Sequence, residues 1–182
     1  HGTHVAGSVV SSGKVSGEKL QGGAYGAEFI AQGMWSDKLK NLSIPPTMSK
    51  FFLPAYNDGA RVHTNSWGSP RNLGSYDGMA QQVDDFMWNH PEMLIVFAAG
   101  NSGEDNNKDG RVDEGSISSP STAKNCLTVG ASENYLLNGG IQRPIGQLAQ
   151  GKWNTEPLAS DMLSNNENGI AVFSSRGPTR DG

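Results

Sequence analysis

The sequence predicts a three-layer α/β/α fold with a mostly parallel sheet. Residues 93–99 (MLIVFAA) form a continuous apolar run of strand length that stops at Gly100, as a strand buried in a parallel sheet does. Residues 76–90 carry apolar side chains at helical spacing and stop before Pro91. Helical segments that alternate with short strands indicate βαβ units.

The other expected elements are short, and most are bounded by glycine or proline. Helices are expected over residues 1–10 and 47–57. Strands are expected over residues 28–34, 61–64, 125–131 and 170–173. A chain of 182 residues can bury a hydrophobic core, so residues 1–182 are interpreted as part of a single domain.

Two segments lack this periodicity. Residues 104–115 are polar and acidic, and residues 135–169 are rich in Asn, Gln and Gly. Long segments without an apolar repeat lie on the surface of most domains. We therefore expect an acidic insertion loop at 104–115 and a long polar surface insertion at 135–169.

Composition excludes several classes of protein. The net charge is −4 and no basic cluster occurs, which argues against a nucleic-acid partner. No apolar run approaches the roughly 20 residues that span a membrane. Cys126 is the single cysteine, so an internal disulfide and a cysteine-based zinc site are both excluded. This cysteine content suits a secreted bacterial enzyme, and it suits a cytosolic protein equally.

The opening residues 1–7 (HGTHVAG) closely resemble the histidine motif of the subtilases, the subtilisin-like serine proteases. The resemblance implies a subtilisin-like fold, incomplete in this chain, with His1 as the general base. An imidazole titrates near 6.5, so it can take up and return a proton near neutral pH. A histidine at the start of a helix is also held rigidly while its ring reaches outward.

His1 and His4 are three residues apart on the expected helix and could instead share a metal ion. Zinc sites add a third protein ligand, often a carboxylate, and no acidic residue stands between these histidines. In the subtilases the second histidine of this motif is structural, packed behind the catalytic residue, and the resemblance implies that role for His4.

Residues 97–103 (FAAGNSG) resemble the oxyanion-hole segment of the same family, which implies that the Asn101 amide donates to the developing oxyanion. This chemistry requires a donor at the carboxyl end of a buried strand, where ligands of open α/β sheets bind. An asparagine that merely closes a strand is the alternative interpretation.

Residues 65–68 (NSWG) resemble the segment that forms one wall of the S1 pocket in subtilases. A tryptophan stands where many subtilisins have an aliphatic residue. An extended substrate needs free backbone groups, and glycine leaves room for its side chain. The resemblance implies these substrate-binding residues: Ser66, Trp67 and Gly68 on one wall, Ala99 and Gly100 on the other.

Residues 173–178 (FSSRGP) resemble a structural segment that precedes the nucleophile motif in the family, so Ser174 and Ser175 are not expected to be nucleophiles. The family motif Gly-Thr-Ser-Met-Ala does not occur in the 182 residues. We therefore expect a fragment whose nucleophilic serine follows Gly182 and whose aspartate precedes His1. The motifs look most like those of the oxidant-resistant alkaline proteases of bacilli.

The acidic segment carries a signal of its own. Its spacing of oxygen-bearing residues, with Gly110 at the sixth position, matches an EF-hand-type calcium loop. The expected ligands are Asp105, Asn107, Asp109, Arg111 through its carbonyl, and Asp113. The twelfth position holds Ser116 instead of glutamate, so Glu114 would have to substitute or the affinity would be weaker. A solvated acidic turn is the alternative.

Taken together, the motifs indicate a secreted serine endopeptidase that acts through an acyl-enzyme on proteins and peptides, as a monomer and without an organic cofactor. The 182-residue chain by itself is expected to be inactive. Two alternatives remain open: a non-catalytic subtilase-like protein that binds peptides, and a calcium-binding extracellular structural domain. The second would not need the motifs of His1 and Asn101 together.

Overall fold

A computed structural model describes residues 1–149 and 151–182. The chain divides into two compact units, and each is described by itself. Unit 1 comprises residues 1–46 and 50–60, and unit 2 comprises residues 47–49 and 61–182. No helix among the described residues combines the length and apolarity that crossing a bilayer requires.

Unit 1 begins with helix α1 (Gly2–Val10), which confirms the helix expected at residues 1–10. Its last carbonyl groups are satisfied by a turn, because Gly23 and Ala24 donate backbone N–H groups to Ser8 and Val9 at 3.2 and 2.7 Å. A Cβ on Gly22 would lie 2.5 Å from the Val9 backbone, so this turn requires glycine.

The rest of unit 1 contains two short strands and, from residue 50 onward, a second helix. Strands β1 (Trp35–Ser36) and β2 (Asn41–Leu42) pair antiparallel. Helix α2 (Ser49–Asn57) contains Pro54 and confirms the helix expected at residues 47–57. The strand expected at residues 28–34 is wrong, because that segment is irregular and pairs with no other strand of the described chain.

Unit 2 is built on a parallel sheet, which confirms the predicted α/β class. Strands β3 (Val62–Asn65), β4 (Leu94–Ala98) and β5 (Leu127–Val129) lie in that order. Asn65 pairs with Phe97, and both strands therefore end at the same edge of the sheet.

Helix α3 (Gly78–Asn89) packs against β4. Its first turn is closed by Asp77, whose carboxylate accepts the N–H groups of Met79 and Ala80 at 3.0 and 3.1 Å. The buried stripe of the helix is short: Ala80, Val83 and Phe86.

The two faces of the sheet differ. Ile95 and Phe97 are fully buried on one face. The other face is apolar and exposed: Val62, Leu94, Leu127 and Val129. The apolar run predicts a strand that is buried on both faces, as strands of parallel sheets normally are. In the described residues, β4 is instead covered on one face only.

The strand expected at residues 170–173 is also wrong. Ile170 makes a single bridge to Ser132, and Ser174 N–H then closes a turn on the Ala171 carbonyl at 2.9 Å. The apolar side chains of this segment are used for packing, because Val172 forms a buried cluster with Ile145 and Trp153.

Candidate active site

Asn101 lies in the turn that follows β4, at the carboxyl edge of the sheet. The turn is sharp because Gly100 adopts φ +113°, a conformation that favours glycine. The Asn101 side chain is exposed, and no hydrogen bond to its amide is formed by the described residues. Both N–H groups of that amide therefore remain available to an external acceptor.

The turn is held from behind by Phe173 and Ser175. Ser175 N–H donates to the Gly100 carbonyl at 3.0 Å, and the Ser175 hydroxyl accepts the Ser102 N–H at 3.1 Å. Gly103 N–H donates to the Phe173 carbonyl at 3.0 Å. The segment 173–178, interpreted from the sequence as structural, thus supports the turn that carries Asn101.

The expected wall of Ser66, Trp67 and Gly68 follows β3 and leaves the sheet beside the Asn101 turn, because β3 and β4 are neighbours in register. Trp67 donates from its indole N–H to the Asn65 side chain at 3.1 Å and contacts the Phe97 ring edge-on. Ser66 and Gly68 are exposed, and no backbone hydrogen bond of theirs occurs within residues 1–149 and 151–182.

Ser118 lies between the two walls and was missed in the sequence. A Cβ on Gly68 would lie 2.7 Å from the Ser118 hydroxyl oxygen, and a Cβ on Gly100 would lie 3.0 Å from it. Ser118 N–H and hydroxyl both donate to the Ala99 carbonyl, at 3.1 and 3.3 Å. No local pattern reveals this role, because Ser118 belongs to a polar run that reads as a loop.

His63 lies in β3, three residues before Ser66. Burial lowers the pKa of His63 to about 4, and a hydrogen bond with the Asn65 side chain opposes that shift. His63 is therefore neutral at physiological pH. The Asn65 amide also donates to the Val96 carbonyl at 3.1 Å, which ties β3 to β4 below the walls.

His1 belongs to unit 1, whereas Asn101 belongs to unit 2. The His1 carbonyl accepts the Val5 N–H at 3.0 Å and starts α1, and its side chain makes no capping bond. The ring of His1 is exposed at the helix start, as the sequence predicts for a residue that reaches outward. His4 is exposed as well, so it is not packed in the way that the family motif implies.

The acidic loop is organised around Asp105, which is 5% exposed. Its carboxylate accepts the N–H groups of Asp109 and Gly110 at 3.0 and 3.1 Å. The Asn107 side-chain oxygen accepts the same Asp109 N–H at 3.1 Å. The side-chain oxygens of the first and third expected calcium ligands therefore converge on one nitrogen.

The remaining expected ligands are also tied into the loop. Asp109 accepts the Arg111 N–H at 2.9 Å, and Asp113 accepts the backbone and side-chain N–H groups of Asn106 at 2.9 and 2.8 Å. In the described part of the chain, no three His, Cys, Asp or Glu side chains gather at one point that could hold a metal. A cation here would depend on amide and carbonyl oxygens besides the carboxylates.

A parallel α/β sheet whose carboxyl edge presents an available side-chain donor is typical of an enzyme that binds its ligand at that edge. A family model of the subtilases, Peptidase_S8, matches residues 1–182. The chain therefore belongs to the subtilase family, and its fold is an incomplete subtilisin-like α/β fold.

Several curated proteins of Dictyostelium discoideum are similar to this chain. It is 39% identical over 140 residues to the serine protease/ABC transporter B family protein tagD, with 73% of this chain covered. It is 33% identical over 135 residues to tagA and 29% identical over 234 residues to tagB, with 72% and 100% of this chain covered. The matches span only 7%, 7% and 12% of those relatives.

Proposed function

We propose that the full-length protein is a serine endopeptidase that cleaves proteins and peptides through an acyl-enzyme. The observation that carries the proposal is the exposed Asn101 amide, which has no partner in the described chain and follows strand β4 at the carboxyl edge of the sheet. An oxyanion donor must be fixed in place and must not be saturated by its own protein. Membership of the subtilase family supports the same reaction.

The proposed roles combine the family motifs with the exposure and the hydrogen bonds of each residue. Asn101 donates to the oxygen of the tetrahedral intermediate, and His1 takes the proton of a serine supplied by the rest of the protein. Ser66 and Gly68 offer exposed backbone groups to an extended substrate. Ala99 shapes the opposite wall without pairing, because its N–H and carbonyl are bonded to Val129 and Ser118.

The 182-residue chain contains no candidate nucleophile in the segment 173–178. Ser174 is completely buried and Ser175 is 6% exposed, and both hydroxyls accept backbone N–H groups. The nucleophile motif of the family, Gly-Thr-Ser-Met-Ala, does not occur in residues 1–182 either. We therefore expect residues 1–182 alone to take up no serine-directed fluorophosphonate, whereas the full-length protein should be labelled. Labelling of the 182-residue chain would place the nucleophile within it and contradict the proposal.

The decisive experiment is steady-state kinetics of the full-length protein with a peptide substrate. Asn101→Ala should lower kcat by about 10²–10³, the magnitude known for the oxyanion donor of subtilisin, with little change in KM. His1→Ala should abolish nearly all turnover. Asn134→Ala, at another exposed asparagine, is the control and should retain full activity. An increase in KM alone for Asn101→Ala would refute the oxyanion role.

We also propose one structural calcium ion in the acidic loop, bound by Asp105, Asn107, Asp109, Arg111 and Asp113. The two Asp105 carboxylate oxygens accept one N–H group each, so each retains a lone pair for a cation. The convergence of the Asp105 and Asn107 oxygens supports the proposal. A site that lacks the twelfth-position glutamate suits the high calcium levels outside cells, where we propose that the enzyme works as a monomer.

Calorimetric titration with calcium tests this site. Replacing Asp105 and Asp109 together by Asn keeps acceptor oxygens for the loop N–H groups but removes two charges. This double variant should lose one binding event, and with it about 2.7 kcal/mol of stabilisation at a hundredfold excess over Kd. Asp85→Asn, on an exposed face of α3, is the matched control. Unchanged stoichiometry and affinity in the double variant would show a solvated acidic turn.

A further inference from the structure

A single residue holds both peptide groups that flank Asn101. Ser175 N–H donates to the Gly100 carbonyl at 3.0 Å, on the amino side of Asn101. The Ser175 hydroxyl accepts the Ser102 N–H at 3.1 Å, on its carboxyl side. Ser175 is 6% exposed, so water competes little for either bond.

The direction of the Asn101 side chain depends on these two peptide groups. No side-chain hydrogen bond from the described residues orients the amide, so the backbone of the turn sets where it points. Gly100, at φ +113°, has no side chain that could pack against neighbouring residues and hold this backbone in place. A displacement of about 1 Å at a catalytic group can cost about 10² in rate, so the stiffness of the turn matters for catalysis.

The contact between Ser175 and the turn is close as well as hydrogen-bonded. A Cβ on Gly100 would lie 2.8 Å from the Ser175 hydroxyl oxygen, so the hydroxyl sits directly against the turn. The next bond outward joins Gly103 N–H to the Phe173 carbonyl at 3.0 Å and does not touch Asn101 itself. Among the described residues, only Ser175 bonds to the peptide groups on both sides of Asn101.

We propose that Ser175 is a positioning residue, which fixes the Asn101 turn so that the Asn101 amide meets the oxyanion. This inference rests on the proposed function. It gives the hydroxyl of Ser175 a role in turnover although the hydroxyl touches neither the substrate nor the reacting atoms.

Ser174 provides a matched control for Ser175. Its hydroxyl is also buried and also accepts a backbone N–H, that of Ala131 at 3.0 Å. It also donates to the Ser175 carbonyl at 3.5 Å, but it makes no bond to residues 100–102. Ser174→Ala therefore removes a comparable buried acceptor without disturbing the Asn101 turn.

The test is a double-mutant cycle in the full-length protein, with kcat and KM measured on one peptide substrate. Ser175→Ala should lower kcat by about 10-fold and change KM by less than about 2-fold. Ser174→Ala should leave kcat within about 2-fold. In the Asn101→Ala background, Ser175→Ala should lower kcat no further, because the amide that it positions is gone.

Two outcomes overturn the inference: an equal loss of kcat from Ser175→Ala in both backgrounds, or an equal loss from Ser174→Ala and Ser175→Ala. If Asn101→Ala itself leaves kcat unchanged, the proposed function of Asn101 fails independently of Ser175. If Ser175→Ala does not fold, Ser175→Cys replaces it in the cycle, since a thiol is a weaker acceptor. That variant should then show a smaller loss of kcat that again disappears without Asn101.

Discussion

Gly110 lies directly against the backbone of Glu156, so that a Cβ on Gly110 would stand 2.0 Å from the Glu156 carbonyl oxygen. This contact joins the acidic loop 104–115 to the long polar segment 135–169. Lys152 strengthens the junction with an ion pair to Glu104 at 2.7 Å. Part of the long segment therefore packs on the loop that follows the candidate oxyanion turn.

Gly110→Ala should loosen this junction. The substitution places a Cβ against backbone, and Gly110 also adopts φ +79°, which costs a non-glycine residue about 1 kcal/mol. We expect a total loss of at least about 2 kcal/mol in local stability. Hydrogen exchange of the full-length protein should show faster exchange in residues 104–115 and 152–160.

Gly139→Ala is the control for Gly110→Ala. Gly139 adopts φ +90°, but a Cβ there would meet no atom within 4 Å. Gly139→Ala therefore carries the cost of a positive φ without a collision such as that with Glu156. Hydrogen exchange in residues 104–115 should not change in this variant. Equal effects of the two variants on that loop would mean that the contact with Glu156 contributes nothing.

Asp84 should be the most important acidic residue of α3 for stability. Its carboxylate accepts the N–H groups of Lys124 and Asn125 at 3.0 and 2.7 Å, and the Tyr76 hydroxyl at 2.8 Å. Asp84→Ala leaves these donors without their acceptor and should cost about 2–3 kcal/mol. Faster hydrogen exchange of β5, which starts two residues after Asn125, is the expected readout.

Asp85→Ala is the matched variant for Asp84→Ala, because Asp85 is exposed on the same helix and its carboxylate has no hydrogen-bond partner in the described chain. It should change stability by less than about 0.5 kcal/mol. If both variants alter the exchange of β5 alike, helix propensity and not the capping of the Lys124–Asn125 turn explains the effect.

The sequence predicts elements well where the signal is local. The apolar run places β4 within one residue at each end, and Pro91 limits α3. The strands predicted at residues 28–34 and 170–173 are absent from the structure, because a short apolar run becomes a strand only if another strand pairs with it. In residues 170–173, Val172 instead packs in a buried cluster with Trp153.

The residues of the candidate site also fall into two groups: those that the sequence predicts and those that it does not. Asn101 and Gly68 stand in motifs that can be recognised from consecutive residues. Ser118 and Ser175 act on the site from positions distant in the chain, and a serine carries no periodic signal. The contacts of Asp84 are hidden from the sequence for the same reason, since its partners lie 40 and 41 residues further along the chain.

His63 should make the sheet sensitive to acid. Burial lowers the pKa of His63 to about 4, below the value near 6.5 of an unfolded chain. Between these values the unfolded state binds a proton that the folded state does not. The free energy of unfolding therefore falls as pH falls through this window, by about 3 kcal/mol at most, and is fully retained above pH 6.5.

Hydrogen exchange of β3 and β4, corrected for the intrinsic pH dependence, measures this effect. His63→Gln should flatten the loss of protection between pH 6.5 and 4. His4→Gln, at an exposed histidine of α1, should leave the profile of the sheet unchanged. A profile that keeps its slope in His63→Gln would assign the acid sensitivity to other groups.

Gly68→Ala should narrow the candidate substrate pocket, because its Cβ would lie 2.7 Å from the Ser118 hydroxyl oxygen and 3.1 Å from the Ser119 carbonyl oxygen. In the full-length protein, kcat/KM should fall by about 10-fold or more for peptides with a large side chain before the scissile bond, and less for small ones. Adding Ser118→Gly removes one of the two obstacles and should restore part of the loss. Gly78→Ala, where a Cβ meets nothing within 4 Å, is the control. An equal loss for large and small side chains would show that Gly68 does not line the pocket.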